Sequence, residues 1–232
     1  MVPVRRWIKR LFLWGLLCVL AWQFWMFAQV LWWRDHNPTS TAFMRARAES
    51  RQAQGRSPLA PHPWVSYEHI PLSLKQAVVA AEDSHFVNHH GFDWEGIRQA
   101  WDKDMKHHRP VAGGSTLTQQ LAKNLFLSER RSVWRKAEEA VITLMLETVW
   151  SKRRILEVYL NVIEWGDGEF GCEAAAHHYF HLSASLLGRT QSARLASMIP
   201  RPRFYDRYGA TTLLLDKTES IEQRMTQVTI PR

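Results

Sequence analysis

Between Glu82 and Asp93 the segment Glu-Asp-Ser-His-Phe-Val-Asn-His-His-Gly-Phe-Asp sets three carboxylates and three histidines within twelve residues. Side chains of these types can hold a metal, move protons, or lie in a solvated turn. The spacing bears on the choice. There is no HExxH arrangement and no cysteine partner, and the His85–His89 pair, four residues apart, runs into Gly91 where a helix would be ending. His90-Gly91 reads as a turn, with glycine supplying a positive φ. Leu74, Val78 and Ala81 recur at helical spacing upstream, so Glu82 and Asp83 fall at a helix C-terminus. There the dipole disfavours carboxylates, which leaves either an exposed pair or a functional one.

Two further segments carry chemistry. Gly113-Gly-Ser-Thr-Leu-Thr-Gln-Gln120 opens a helix with two glycines, hydroxyls and amides, either an anion or sugar site or an ordinary capped start. Thr116 with Gln119 three residues on fits a capping box. Along Ser132–Trp150, Val133, Ala137, Ala140, Val141 and Leu144 cluster on one face at 100° per residue. Lys136, Glu139, Thr143 and Glu147 form a polar strip at its edge. Such a strip can line a cleft, or it can be a surface set of ion pairs, Lys136 and Arg135 with Glu139. Gly166-Asp-Gly-Glu-Phe-Gly171 has the spacing of a dinucleotide loop, but what precedes it is helical in period, so it reads as a turn between helices.

The elements that must position these residues follow from periodicity. Leu11 to Trp33 contains no charged side chain, and as a helix it would span roughly 34 Å against a hydrocarbon core of about 30 Å. It is too long for a signal peptide's apolar region. Arg5, Arg6, Lys9 and Arg10 precede it, which by the positive-inside rule leaves residues 1–10 in the cytoplasm and everything beyond Arg34 outside. Those four account for half of the net charge of +8, so the external part is only mildly basic, a balance that speaks against nucleic acid as a partner. Residues 34–63, with four prolines, read as a stalk with a short helix near Thr41 to Gln52, and residues 64–232 as the compact domain. The predicted helices are Leu72–Asp83, Trp94–Met105, Thr116–Leu127, Ser132–Trp150, Lys152–Ile163, Glu173–Phe180, Gln191–Met198 and Leu213–Val228, with one short strand at Trp64–Ile70. The class is mainly α. Cys18 lies in the membrane run and Cys172 outside it, so no disulfide joins them. Apolar residues of Leu121–Leu127, flanked by Lys123, Arg130 and Arg131, are expected to dip into the bilayer surface.

Taken together the segments resemble the family 51 peptidoglycan glycosyltransferases, in particular the monofunctional membrane-anchored ones. Glu82, Asp83, Phe86, His89 and Gly91 match the first motif and Gly113 to Gln120 the second. Arg135, Lys136 and Glu139 match the third, and Lys152, Ile155, Leu156, Glu157, Tyr159, Leu160 and Asn161 the fourth. A fifth block runs from Ala193 to Tyr205. The resemblance implies a lysozyme-like helical lobe and a smaller, membrane-contacting lobe behind one transmembrane helix in the inner membrane, acting on lipid II and the nascent glycan strand. It implies Glu82 as general base and Glu139 as the second essential carboxylate. Asp83, Ser115, Thr116, Gln119, Gln120, Arg135, Lys136, Lys152 and Asn161 would bind sugars and phosphates. No protein-held metal or cofactor is firmly implied, with a divalent ion such as magnesium on the substrate pyrophosphate left open. Other cell-wall synthesis or division proteins are conceivable partners. No Ser-x-x-Lys occurs, so transpeptidase chemistry is not expected.

Overall fold

A computed structural model describes residues 4–59, 62–98, 105, 114–130 and 132–232. The first helix, α1 (Val4–Asp35), contains the apolar run and is long and apolar enough to cross a membrane. Its C-terminal half is docked on the domain. Met26 and Val30 are buried in the main core, the Trp150 indole N–H donates to the Val30 carbonyl at 2.8 Å, and Arg154 donates to the carbonyls of Trp33 and His36 at 2.9 and 2.7 Å. Higher up, the Trp22 indole donates to Glu138 at 2.8 Å.

The segment expected as a stalk is likewise part of the body. Helix α2 (Ala42–Ala53) is capped by Thr41, whose hydroxyl accepts from the Met44 N–H, and it buries Met44 and Arg47 one turn apart. Arg47 grips Glu164 through two bonds, 2.8 and 3.0 Å, and Glu129 at 3.0 Å. The prolines break the chain on either side without keeping α2 off the domain.

Helix α3 (Leu72–Glu82) starts behind Pro71 and buries Leu74, Ala77 and Val78. The predicted capping box of Thr116 and Gln119 opens α4 (Leu117–Phe126), and Ser132 and Ser151 cap α5 (Val133–Val149) and α6 (Lys152–Val162). Then come α7 (Cys172–Phe180), a 3₁₀ turn (Ala184–Leu186), α8 (Arg189–Met198), α9 (Pro202–Tyr208) and α10 (Thr212–Arg224). Helix α8 packs between α3 and α10, while α4 packs on α5 and α6 and α1 lies along α5. Residues 94–98 and 105 are helical, and the remainder of the helix predicted to Met105 lies outside the described residues, as do Gly113 and Arg131.

The structure departs from expectation in three further places. No strand forms at Trp64–Ile70, because the Val65 N–H and carbonyl are both taken by the side-chain amide of Asn161, which stands in for a neighbouring strand. Helix α9 was not among the predicted helices. Pro202, however, occupies the first turn, where its fixed φ favours a helix. Leu121, Leu125 and Leu127 are buried in the core and not free to enter a bilayer. On α5, the helix that runs beside α1, Val133, Trp134, Val141 and Leu144 are exposed instead. The glycines of 166–171 form the turn between α6 and α7, where Gly171 (φ +83°) leaves no room for a Cβ beside the Asn161 carbonyl.

Candidate active site

Glu82 is the last residue of α3, and its position is set by a relay of side chains from two other helices. The buried Tyr159 hydroxyl on α6 donates to Gln120 Oε1 at 2.8 Å, which fixes the orientation of that amide. The Gln120 N–H₂ on α4 then donates to Glu82 Oε2 at 2.7 Å. Burial pushes the Glu82 pKa upward. The Gln120 bond and the charges of Lys217 and Lys123 oppose that shift, and Asp83 adds to it. Tyr159 is held well above its ordinary value by burial and by Glu82 and Asp83, so its hydroxyl remains a donor. Away from Gln120, Glu82 borders a small cavity of about 110 Å³ shared with Ser197, Lys217, Ser220 and Arg224.

Asp83, next in the chain, points the other way. Its buried carboxylate faces His89 Nε2 at 2.9 and 3.1 Å and accepts from the Leu117 N–H at 3.0 Å, the first residue of α4. The carboxylate that sits badly at the end of α3 thus lies at the favourable end of α4. Thr116 Oγ1 donates to the Gly91 carbonyl at 2.7 Å, closing the turn from a second point. Gly91 has φ +87°, and a Cβ there would stand 2.8 Å from Thr143 Cγ2. His85 turns to Asp93, 3.2 Å away, so the histidines of the segment diverge.

The buried Glu139 on α5 is held by Arg135 at 2.8 Å and by Lys136. Lys123 on α4 belongs to the same group. Burial lowers its pKa, Glu139 supports its charge, and Arg135 and Lys136 oppose it. A cleft of about 540 Å³ runs past Gln120, Lys123, Asn124, Arg135 and Tyr159 to Arg201 and Arg203. Among the described residues, no group of three or more histidine, cysteine or acidic side chains converges as metal ligands. Both Glu139 oxygens already face cations, a donor set that does not suit a resident divalent ion.

Of the residues expected to bind substrate, the structure brings Gln120 and Arg135 to this cleft, with Lys136 beside them on Glu139. Ser115 is half-buried at the start of α4. Asp83, Thr116 and Gln119 are engaged in holding the loop and the helix start. Lys152 pairs with Glu147 at 2.8 Å with its ammonium 4.5 Å from the Phe86 ring centre. Asn161 is not brought in, being buried with both amide hydrogens on the carbonyls of Val65 and Glu157. Sequence reasoning missed Lys123 as a site cation, although it lies one turn beyond Gln120 on the same helix. It also missed Lys217, which no local pattern ties to Glu82.

A family model described as Transglycosylase matches residues 50–228. The chain belongs to that family. It is 55% identical over 228 residues to a biosynthetic peptidoglycan transglycosylase of Methylobacillus flagellatus, covering 97% of this chain and all of that one. It is also 55% identical over 226 residues to a protein of the same name from Azoarcus sp., covering 97% of each chain. A third, from Thiobacillus denitrificans, is 53% identical over 227 residues and covers 98% of each. The match begins inside α2, in keeping with that helix being built into the domain.

Proposed function

We infer that this chain is a peptidoglycan glycosyltransferase that extends glycan strands from lipid II, anchored by α1 with its catalytic domain on the outer face of the inner membrane. The observation that carries the reading is the relay from Tyr159 through Gln120 to Glu82, one hydrogen bond from a cleft lined by Lys123, Arg135, Arg201 and Arg203. Glu82 takes the proton from the 4-hydroxyl of the acceptor N-acetylglucosamine as that oxygen bonds to the anomeric carbon of the donor. The anomeric carbon–oxygen bond to the undecaprenyl pyrophosphate breaks, and the electron pair leaves with the phosphate. Attack opposite the leaving group turns an α-linkage into β-1,4. Negative charge grows on the pyrophosphate, where Lys123, Arg135 and Lys136 supply stabilisation that is strongest in the transition state. Glu139 fixes the geometry of the cations. Ser115, Gln120 and Lys152 position sugars and phosphates. A hydrolase of neutral glycan has no comparable use for this basic wall.

Purified full-length protein incubated with lipid II tests this. The wild type is expected to make polymer that lysozyme degrades. Glu82→Gln should bind lipid II with unchanged affinity and lose about 10²–10⁴-fold in turnover. Release of disaccharide fragments from finished wall, or near-normal turnover by Glu82→Gln, would refute the reading.

A further inference from the structure

A second cleft, about 620 Å³, adjoins the first. One wall comes from α2 and the residues just after it, with Arg51 and Arg56. The other is α9, with Arg203, Phe204, Arg207 and Tyr208. Arg203 and Phe204 border both clefts, so the second continues the first.

The charges in it do not cancel. Arg47 is answered by Glu164 and Glu129, and Arg203 lies 3.8 and 3.9 Å from the same two carboxylates. Asp167 is paired with Arg56 at 2.7 Å. Asp206 accepts from the Asp167 N–H at 2.9 Å and from the Tyr179 hydroxyl at 3.1 Å, and faces His178 Nε2 at 2.7 Å. Arg51, in contrast, donates among the described residues only to neutral carbonyls, those of Ser57 at 2.9 Å and Asp167 at 3.1 Å. Arg207 is exposed and makes no ion pair among the described residues. Two guanidinium groups from facing walls are therefore left without a carboxylate of their own. Their planar forks suit carboxylate ligands, which they can hold through two parallel bonds. Phe204 and Tyr208, with ring centres 4.8 Å apart, add an apolar strip to the same wall.

Resting on the glycosyl-transfer reading above, we propose that this arginine cleft binds the carboxylates of the peptide carried by the substrate's muramyl sugar. The pyrophosphate is served by Lys123, Arg135 and Lys136. A substrate seated there with its sugars along the first cleft carries a branch that must leave it sideways, and the second cleft is the continuation that the protein provides. The peptide's alanine methyls match the aromatic strip, and its acidic groups match Arg51 and Arg207.

The test compares KM and kcat of the full-length protein on lipid II and on lipid II whose peptide carboxyls are amidated. For the wild type, amidation should raise KM about ten- to a hundredfold with little change in kcat. Arg207→Gln, whose side chain holds nothing else in place, should raise KM by a similar factor for native lipid II and leave it unchanged for the amidated substrate. Arg51→Gln should do the same if it melts like the wild type. Equal KM values for the two substrates in the wild type, with polymerisation intact, would overturn the proposal and leave the glycosyl-transfer reading standing. If Arg207→Gln left both KM values unchanged but weakened binding to vesicles of anionic lipid, the cleft would belong to headgroups and the proposal would fall. If the wild type polymerised neither substrate, both readings would fall together.

Discussion

The docking of α1 makes a quantitative prediction about an element that the sequence alone presents as a tether. A tether would raise the effective concentration at the membrane without affecting the domain. In the structure Met26 and Val30 of α1 are 1% and 0% exposed and belong to the same apolar cluster as Leu146 and Trp150. Truncating a buried methionine to alanine costs about 2–5 kcal/mol, and each kcal/mol lowers the midpoint of a domain of this size by about 2–4 °C. Met26→Ala should therefore lower the melting temperature of the full-length protein by about 4–20 °C. Phe24→Ala is the control, since Phe24 is 73% exposed on the same helix and touches no part of the core. Both variants and the wild type are melted in one detergent, followed by near-ultraviolet circular dichroism. If Met26→Ala melted with Phe24→Ala and the wild type, α1 would be a tether after all, and its packing on α5 would count for nothing in stability.

Three other substitutions examine the site's supports. Gly91→Ala must hold φ near +87° and meet Thr143 and Glu147, at about 1–3 kcal/mol for the backbone and a similar amount for the overlap, readable as a lowered denaturation midpoint. Asn161→Ala leaves the Val65 N–H and carbonyl without partners, at about 1–3 kcal/mol each, and should lower stability while KM for lipid II stays as it was. Lys217→Met should move the acid limb of the kcat/KM profile to higher pH. Glu82 must be ionised to accept a proton, so the rate falls as pH drops through its pKa, already raised by burial, and removing a nearby cation disfavours the ionised form further. A limb that stays put, or that moves equally in Lys217→Arg, would separate Lys217 from Glu82.

What the sequence disclosed and what it hid divide along the range of the interactions. The capping box of Thr116 and Gln119 and the Arg135–Glu139 pair both close within four residues, so spacing was enough to find them. The resemblance, not any pattern in the residues themselves, assigns Asp83 and Asn161 to substrate. Their actual partners, the Leu117 N–H and the Val65 backbone, lie 34 and 96 positions away, and no periodicity points a side chain at a target that distant. The misfit of a carboxylate at the end of α3 was legible. Its resolution at the start of α4 was not.

The same division separates the surroundings of two adjacent carboxylates. Glu82 and Asp83 share the end of a helix, but Asp83 collects a histidine and a helix N-terminal N–H, and so lies buried among groups that hold the turn. Among the described residues Glu82 accepts from one donor, the Gln120 amide, and Tyr159 keeps that amide from turning over. A carboxylate with two oxygens and one such bond keeps lone pairs free for a substrate hydroxyl. Burial raises its proton affinity, the direction that the proposed role of general base calls for, and the charges of Lys217 and Lys123 oppose that rise. The setting of Glu82 is therefore made by elements from four places in the chain, α3, α4, α6 and α10. Replacing Tyr159 with phenylalanine should lower turnover without loss of lipid II binding, because it frees the Gln120 amide to present its oxygen, a second acceptor, to the base that it now supports.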